Sequence, residues 1–142
     1  MIIGSLALAA AGAFTGAALY LNYVEQPARL ALDDDALLKE WEPSDHRGFI
    51  ALAGLAFVSA LFGFIAFREL NDFRWALGAI VIIGSWPYTY LAIVPLNNRI
   101  LALIDAAAAH EARKVIELWG KLELGLTAIG LASILCFAWA AG

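Results

Sequence analysis

Four stretches of the chain contain no Asp, Glu, Lys or Arg: Met1–Val24, Gly48–Phe67, Trp75–Asn98 and Leu124–Gly142. Each is close to the ~20 residues that an α-helix needs to cross ~30 Å of hydrocarbon. Backbone amides in lipid must be satisfied within the segment, so these runs predict helices rather than strands. The pattern therefore predicts an all-α integral membrane protein, a four-helix bundle forming one domain over residues 1–142. Breaks are expected near Pro27 and Pro87, because proline removes a backbone donor and clashes with the preceding turn. Ala7-Leu8-Ala9 looks like a cleavage tripeptide. No basic residue precedes the apolar core, however, and the apolar stretch continues well beyond it, so the first run reads as a retained span.

Polar residues fall between these runs. The first connection, Glu25–Arg47, carries Asp33-Asp34-Asp35, Glu40, Glu42 and Asp45 against Arg29, Lys39 and Arg47. The second, Arg68–Arg74, reads as a tight turn. In the third, Arg99–Glu123, the i,i+4 pairs Arg113/Glu117 and Glu117/Lys121 predict helix running into the last span. Arg99–Ala109 reads as an amphipathic interfacial piece. Lys and Arg number seven in the first and third connections (29, 39, 47, 99, 113, 114, 121) and two in the second (68, 74). The positive-inside rule then places both termini outside. The expected setting is a bacterial inner membrane.

Composition agrees with the pattern: 63% of residues are hydrophobic and 15% charged, against roughly half and a quarter in soluble domains. The net charge of -4 is confined to short stretches and implies no anionic partner. No basic nucleic-acid patch or phosphate loop is present. The single cysteine, Cys136, rules out an internal disulfide and paired-cysteine redox chemistry. Gly12-x-x-x-Gly16 offers a smooth face for close helix approach and for a homo-oligomer, and Gly120, Gly125 and Gly130 offer another.

Candidate chemistry clusters at the span ends. Asn22, Glu25, Gln26 and Arg29 share one helical face by their spacing. Ser44 or Asp45 is a plausible helix cap, leaving His46 and Arg47 in the first turn. Trp86, Tyr90 and Asn97 share a face of the third span. By span order, the end of the first span, the start of the second, the end of the third and the region near Glu123 reach one membrane side. Glu25, Arg29, His46, Arg47 and Asn97 can then converge into a pocket, although each alone also suits an interfacial anchor. Neither His46 nor His110 lies inside a span, which disfavours haem. A metal site from Glu25, Asp45, His46 and Glu123 has no supporting ligand spacing. No cofactor is expected.

The segments Tyr20-Leu21-Asn22-Tyr23-Val24-Glu25-Gln26-Pro27-Ala28-Arg29, Trp41-Glu42-Pro43, His46-Arg47-Gly48, Trp86-Pro87-Tyr88-Thr89 and Ile93-Val94-Pro95-Leu96-Asn97 resemble the anthrone oxygenase-like family of small four-span membrane proteins. The resemblance implies oxidation of an anthrone-type polycyclic phenol to an anthraquinone by O2, without flavin or haem. On that reading Arg29 and Arg47 hold an oxyanion, Asn22 and Asn97 orient ring oxygens, and Glu25 or His46 acts as base. Trp41, Trp86 and Tyr88 stack on the rings, with Tyr90 beside them. The chain departs from the family after Trp119, where the family carries a His and an Arg. Here Lys121-Leu122-Glu123-Leu124-Gly125-Leu126-Thr127 offers neither, which leaves Glu123 for that role or implies a different activity.

Two alternatives stay open. A small four-span transporter or lipophile-binding protein would use a membrane carboxylate to handle lipophilic cations. A non-catalytic membrane subunit would need only the anchors. In each case the expected partners are membrane lipids and a lipophilic small molecule.

Overall fold

The computed structural model describes residues Met1–Gly142. Four helices long and apolar enough to cross a membrane make up nearly the whole chain. They are α1 (Ile2–Leu30), α2 (Asp34–Leu70), α3 (Phe73–Asp105) and α4 (Ala109–Ala141), and there is no strand. Their 29 to 37 residues correspond to about 44 to 56 Å of helix at ~1.5 Å per residue. Each therefore outlasts its charge-free run.

The excess length lies largely where connections were expected. Residues 25–47 are not a loop, because α1 continues to Leu30 and α2 begins at Asp34. Asp33 caps α2 by accepting from the Ala36 amide at 2.9 Å, the role assigned above to Ser44 or Asp45. Residues 99–105 likewise extend α3 along its own axis, and the chain turns at Ala106–Ala108 before α4. They do not form a separate interfacial helix. On the opposite side, Asn71 adopts φ 52° at the end of α2, and Asp72 caps α3 by accepting from the Arg74 amide.

Two of the four prolines are preceded by a wide turn. Over Leu21–Glu25 and Thr89–Ile93 the helix loosens, and the amides of Gln26 and Val94 reach back five residues, to the carbonyls of Leu21 and Thr89. Pro27 and Pro95 follow at once. Loosening accommodates the ring and the missing N–H that would otherwise kink the helix. The break expected near Pro27 is therefore present as a widened turn. Near Pro87 it takes the form of a turn at Gly84 followed by a wide turn from Thr89.

In the bundle, α1 and α3 each pack on α2 and α4 and barely touch each other. Small residues permit close approach. Gly63 and Gly78 receive the Phe137 ring, and Gly120 and Gly125 lie against Gln26 and Tyr88. Gly12 and Gly16 face outward with open space beside them, so they mediate no contact within the chain. Buried hydroxyls close on backbone carbonyls across helices, Ser59 on Ala7 at 2.8 Å and Ser133 on Gly78 at 3.0 Å. Those bonds satisfy polar groups that lipid cannot.

Candidate functional site

The four polar helix ends lie on one side, and Arg29 links those of α1, α2 and α4. Its side chain is 1% exposed. Nε donates to Glu40 Oε2 at 2.5 Å, Nη1 to Gln26 Oε1 at 2.7 Å, and Nη2 to Glu25 Oε1 at 2.5 Å and Ser44 Oγ at 2.9 Å. Ser44 also donates to Glu25. Gln26 Nε2 donates to the Ile116 carbonyl at 3.1 Å, tying α1 to α4. A buried cation requires paired and hydrogen-bonded surroundings, and this one has two carboxylates, an amide and a hydroxyl. Below the guanidinium lies the Trp119 ring, 5.2 Å from Cζ to centroid. Trp119 in turn meets Trp41 edge to face at 5.9 Å.

Beyond Trp119 the bundle encloses a cavity of about 480 Å³, within the ~300–1,000 Å³ usual for small-molecule sites. Phe14, Leu52, Ile93 and Leu126 line its depth, and Phe49, Trp86 and Tyr90 its rim. Only two ionisable side chains of the carboxylate type line it, Asp45 and Glu123, and no Lys, Arg or His does. Asn97 Nδ2 donates to Asp45 at 3.1 and 3.3 Å. Glu123 is 5% exposed, and no protein group donates a hydrogen bond to it. Ser85 and Thr89, one helical turn apart on α3, add hydroxyls to the wall.

Several residues expected at a pocket stand elsewhere. His46 and Arg47 are exposed and outside the lining, because α2 turns Trp41, Asp45 and Leu52 inward. Neighbours of Asp45 then project about 100° or more away. Arg29 and Glu25 lie behind Trp119 in the ion-pair network, and the donors of Arg29 point at that network. Asn22 donates to the Ala18 carbonyl at 3.0 Å and to Thr127 at 3.3 Å. Trp41 is wholly buried against Trp119, and the Tyr88 hydroxyl donates to the Leu122 carbonyl at 2.5 Å. Trp86 and Tyr90 do line the cavity, and Asn97 reaches it through Asp45. Missing from the expected pocket were Asp45, read above only as a cap or metal ligand, and Ser85, Thr89 and Trp119. Spacing could have found Trp119, since Trp119, Glu123 and Leu126 share a face at i, i+4, i+7. No three His, Cys, Asp or Glu side chains gather into a group able to hold a metal.

Neither the curated proteins nor the solved structures contain a match to the chain. A protein family described as anthrone oxygenase matches residues 41–136. That stretch begins at Trp41 and takes in Asp45, the α3 wall, Trp119 and Glu123. The chain belongs to the anthrone oxygenase family.

Proposed function

We propose that the cavity binds an anthrone-type polyphenol and oxidises it with O2 to the anthraquinone, using no cofactor. The observation carrying this reading is Glu123, a buried carboxyl group on the cavity wall to which no protein group donates a hydrogen bond. In its ionised form such a group has no protein donor competing for the proton of a bound ligand. The anthrone methylene is acidic, because its carbanion is also the enolate of the central ring. Glu123 removes one methylene proton, and the electron pair spreads onto the ring oxygen. Ser85 and Thr89 stand on the wall as donors to that oxygen.

The remaining steps need only O2. The carbanion passes one electron to O2, and the two radicals join through a new C–O bond. The peroxide recovers the proton from Glu123. Loss of the second methylene hydrogen as a proton, with O–O cleavage, yields the new carbonyl and one water. One anthrone and one O2 thus give one anthraquinone and one H2O. Trp86 and Tyr90 supply flat faces for the rings. Arg29 acts at one remove by fixing Trp119, which replaces the direct oxyanion contact expected from the resemblance.

The test is O2 consumption by purified protein with anthrone, against Glu123→Gln. A general base contributes on the order of 10²–10⁴ in rate, so a loss of about a hundredfold is expected with the product still bound. Wild type that consumes no O2 with any anthrone sinks the reading.

A second reading draws on the same charges. Two carboxylates and no cation line the chamber, which also suits a lipophilic cation. Binding of tetraphenylphosphonium by wild type, lost in Glu123→Gln and accompanied by no oxidation, would favour transport or cation binding.

A further inference from the structure

The two helices that flank the cavity mouth separate in a defined way. α2 packs closely on Phe73–Ile83, lightly on Ser85–Tyr88, and has almost no close backbone contact with α3 beyond that point. Two side-chain links bridge the resulting fork. At its crotch Trp86 Nε1 donates to the Ala53 carbonyl at 3.1 Å, and the Trp86 ring stacks on Phe57 at 6.0 Å. Toward its open end Asn97 donates to Asp45. Between the links no side chain bonds across. Asp45 to Ala53 spans about 12 Å of α2, and Trp86 to Asn97 about 16 Å of α3. Those lengths frame an opening in the bundle's flank.

Exposure confirms where the cavity opens. Residues lining its depth are buried, whereas Phe49 is 45% exposed and Tyr90 71% exposed. Both exposed aromatics stand beside the opening, one on each helix. They lie inside charge-free runs, where a membrane-spanning helix turns its exposed side chains to lipid. Tyr90 belongs to the wide turn Thr89–Ile93, where α3 departs from regular α geometry. The opening is thus aromatic, sideways and continuous with a chamber holding an unpartnered carboxylate.

We propose that this opening is a lateral door through which the cavity takes flat lipophilic molecules dissolved in the bilayer. It extends the functional reading above by specifying how the substrate arrives, and so rests on the cavity being the ligand site. It does not rest on the oxidation. Polycyclic phenols partition into membranes, and an aqueous mouth would have to extract them against the hydrophobic effect. A side entrance avoids that step.

Phe49→Cys/Tyr90→Cys in a Cys136→Ala background tests the door. The probe is 9,10-anthraquinone, which cannot turn over, dissolved in phosphatidylcholine vesicles and read by tryptophan quenching. Bridging the two cysteines with a short bis-maleimide should slow association at least tenfold relative to the same protein capped with a monofunctional maleimide. Trp86→Phe, which frees the crotch of the fork, should speed association severalfold and covers the case in which the double variant does not fold. Unchanged association in the bridged protein and in Trp86→Phe overturns the proposal. So does quenching by brominated acyl chains that anthraquinone fails to displace, which would give the opening to a lipid tail. No anthraquinone binding at all removes the door and the cavity reading together. Gated binding without anthrone-dependent O2 uptake leaves the door standing and removes only the oxidation.

Discussion

Arg29 sits 5.2 Å above the Trp119 ring, so the one buried cation near the cavity reaches it only through an aromatic wall. The guanidinium also neutralises two carboxylates, Glu25 and Glu40, each about a third exposed. Removing one partner of a buried pair costs roughly 3–5 kcal/mol. Because both carboxylates retain access to solvent, Arg29→Ala should cost about 3 kcal/mol, the low end. Arg29→Lys keeps the charge but loses the fork that bonds four groups at once, and should recover only part of that. Unfolding in detergent measures both, and an Arg29→Ala transition matching wild type would contradict this assignment.

Glu123 and Glu25 should separate cleanly in function. Glu123→Gln is nearly isosteric and faces the chamber, so folding should hold while oxidation falls about a hundredfold. Glu25→Gln breaks an ion pair outside the chamber and should act mainly on stability. Ser85→Ala with Thr89→Val should slow oxidation by about tenfold or more if the hydroxyls meet the ring oxygen. Rates and melts on the same preparations distinguish these outcomes.

His46 and Arg47 point away from the cavity and take part in no ion pair. His46→Ala and Arg47→Ala should each change stability by less than about 0.5 kcal/mol and leave the oxidation rate within a factor of about two. A hundredfold loss in either would return them to the chemistry.

Asp72 lies in the turn between α2 and α3. Side-chain hydrogen bonds from Arg74, at 2.7 Å from Nη2 and 2.9 Å from Nε, hold its carboxyl below the usual range. A depressed folded value contributes stability above the unfolded value, and that contribution disappears as pH falls through the folded one. The stability difference between wild type and Asp72→Ala should therefore stay constant from about pH 5 to 8 and shrink below about pH 4. A difference that grows on acidification would reverse the sign of this linkage.

Sidedness is open to direct labelling. Asp35→Cys and Glu69→Cys, in a Cys136→Ala background, occupy exposed positions at opposite ends of α2. Following the positive-inside count, Glu69→Cys should react with an impermeant maleimide from outside and Asp35→Cys should not. The reverse pattern would invert the bundle.

The spans were readable because lipid imposes a simple rule, and charge is absent wherever a helix crosses it. Helix ends were harder. The stretch from Glu25 to Arg47 is rich in charge and looks like a loop, yet Arg29, Glu25, Glu40 and Ser44 satisfy one another across two helices. That cross-helix pairing has no local signature. Convergence of four helix ends followed from span order, whereas the identity of the inward residues depended on rotation about each axis. Leu37, Trp41, Asp45, Leu52 and Ala56 carry that rotation at helical spacing, and it puts Asp45 inside and His46 outside. Taking His46 and Arg47 for their chemistry overlooked the register. The cavity itself could not be read, because it arises where α2 and α3 part company.

Helices that outlast their apolar runs also set a depth. Gly48 and Asn98 are the last uncharged residues of their runs on the polar side, and the opening between Asp45–Ala53 and Trp86–Asn97 begins at that boundary. It therefore begins just beneath the headgroups, at Asn97, and reaches about 16 Å inward along α3 to Trp86, near the middle of that run. A flat molecule with an apolar body and a phenolic edge settles at the outer end of that opening, at the level that tyrosine and tryptophan side chains favour. The membrane thus pre-sorts its solutes by polarity, and the protein draws on the stratum where amphiphilic ring systems are most concentrated. A bilayer a few ångströms thicker or thinner would move that stratum relative to the entrance, making capture sensitive to lipid chain length without altering any residue.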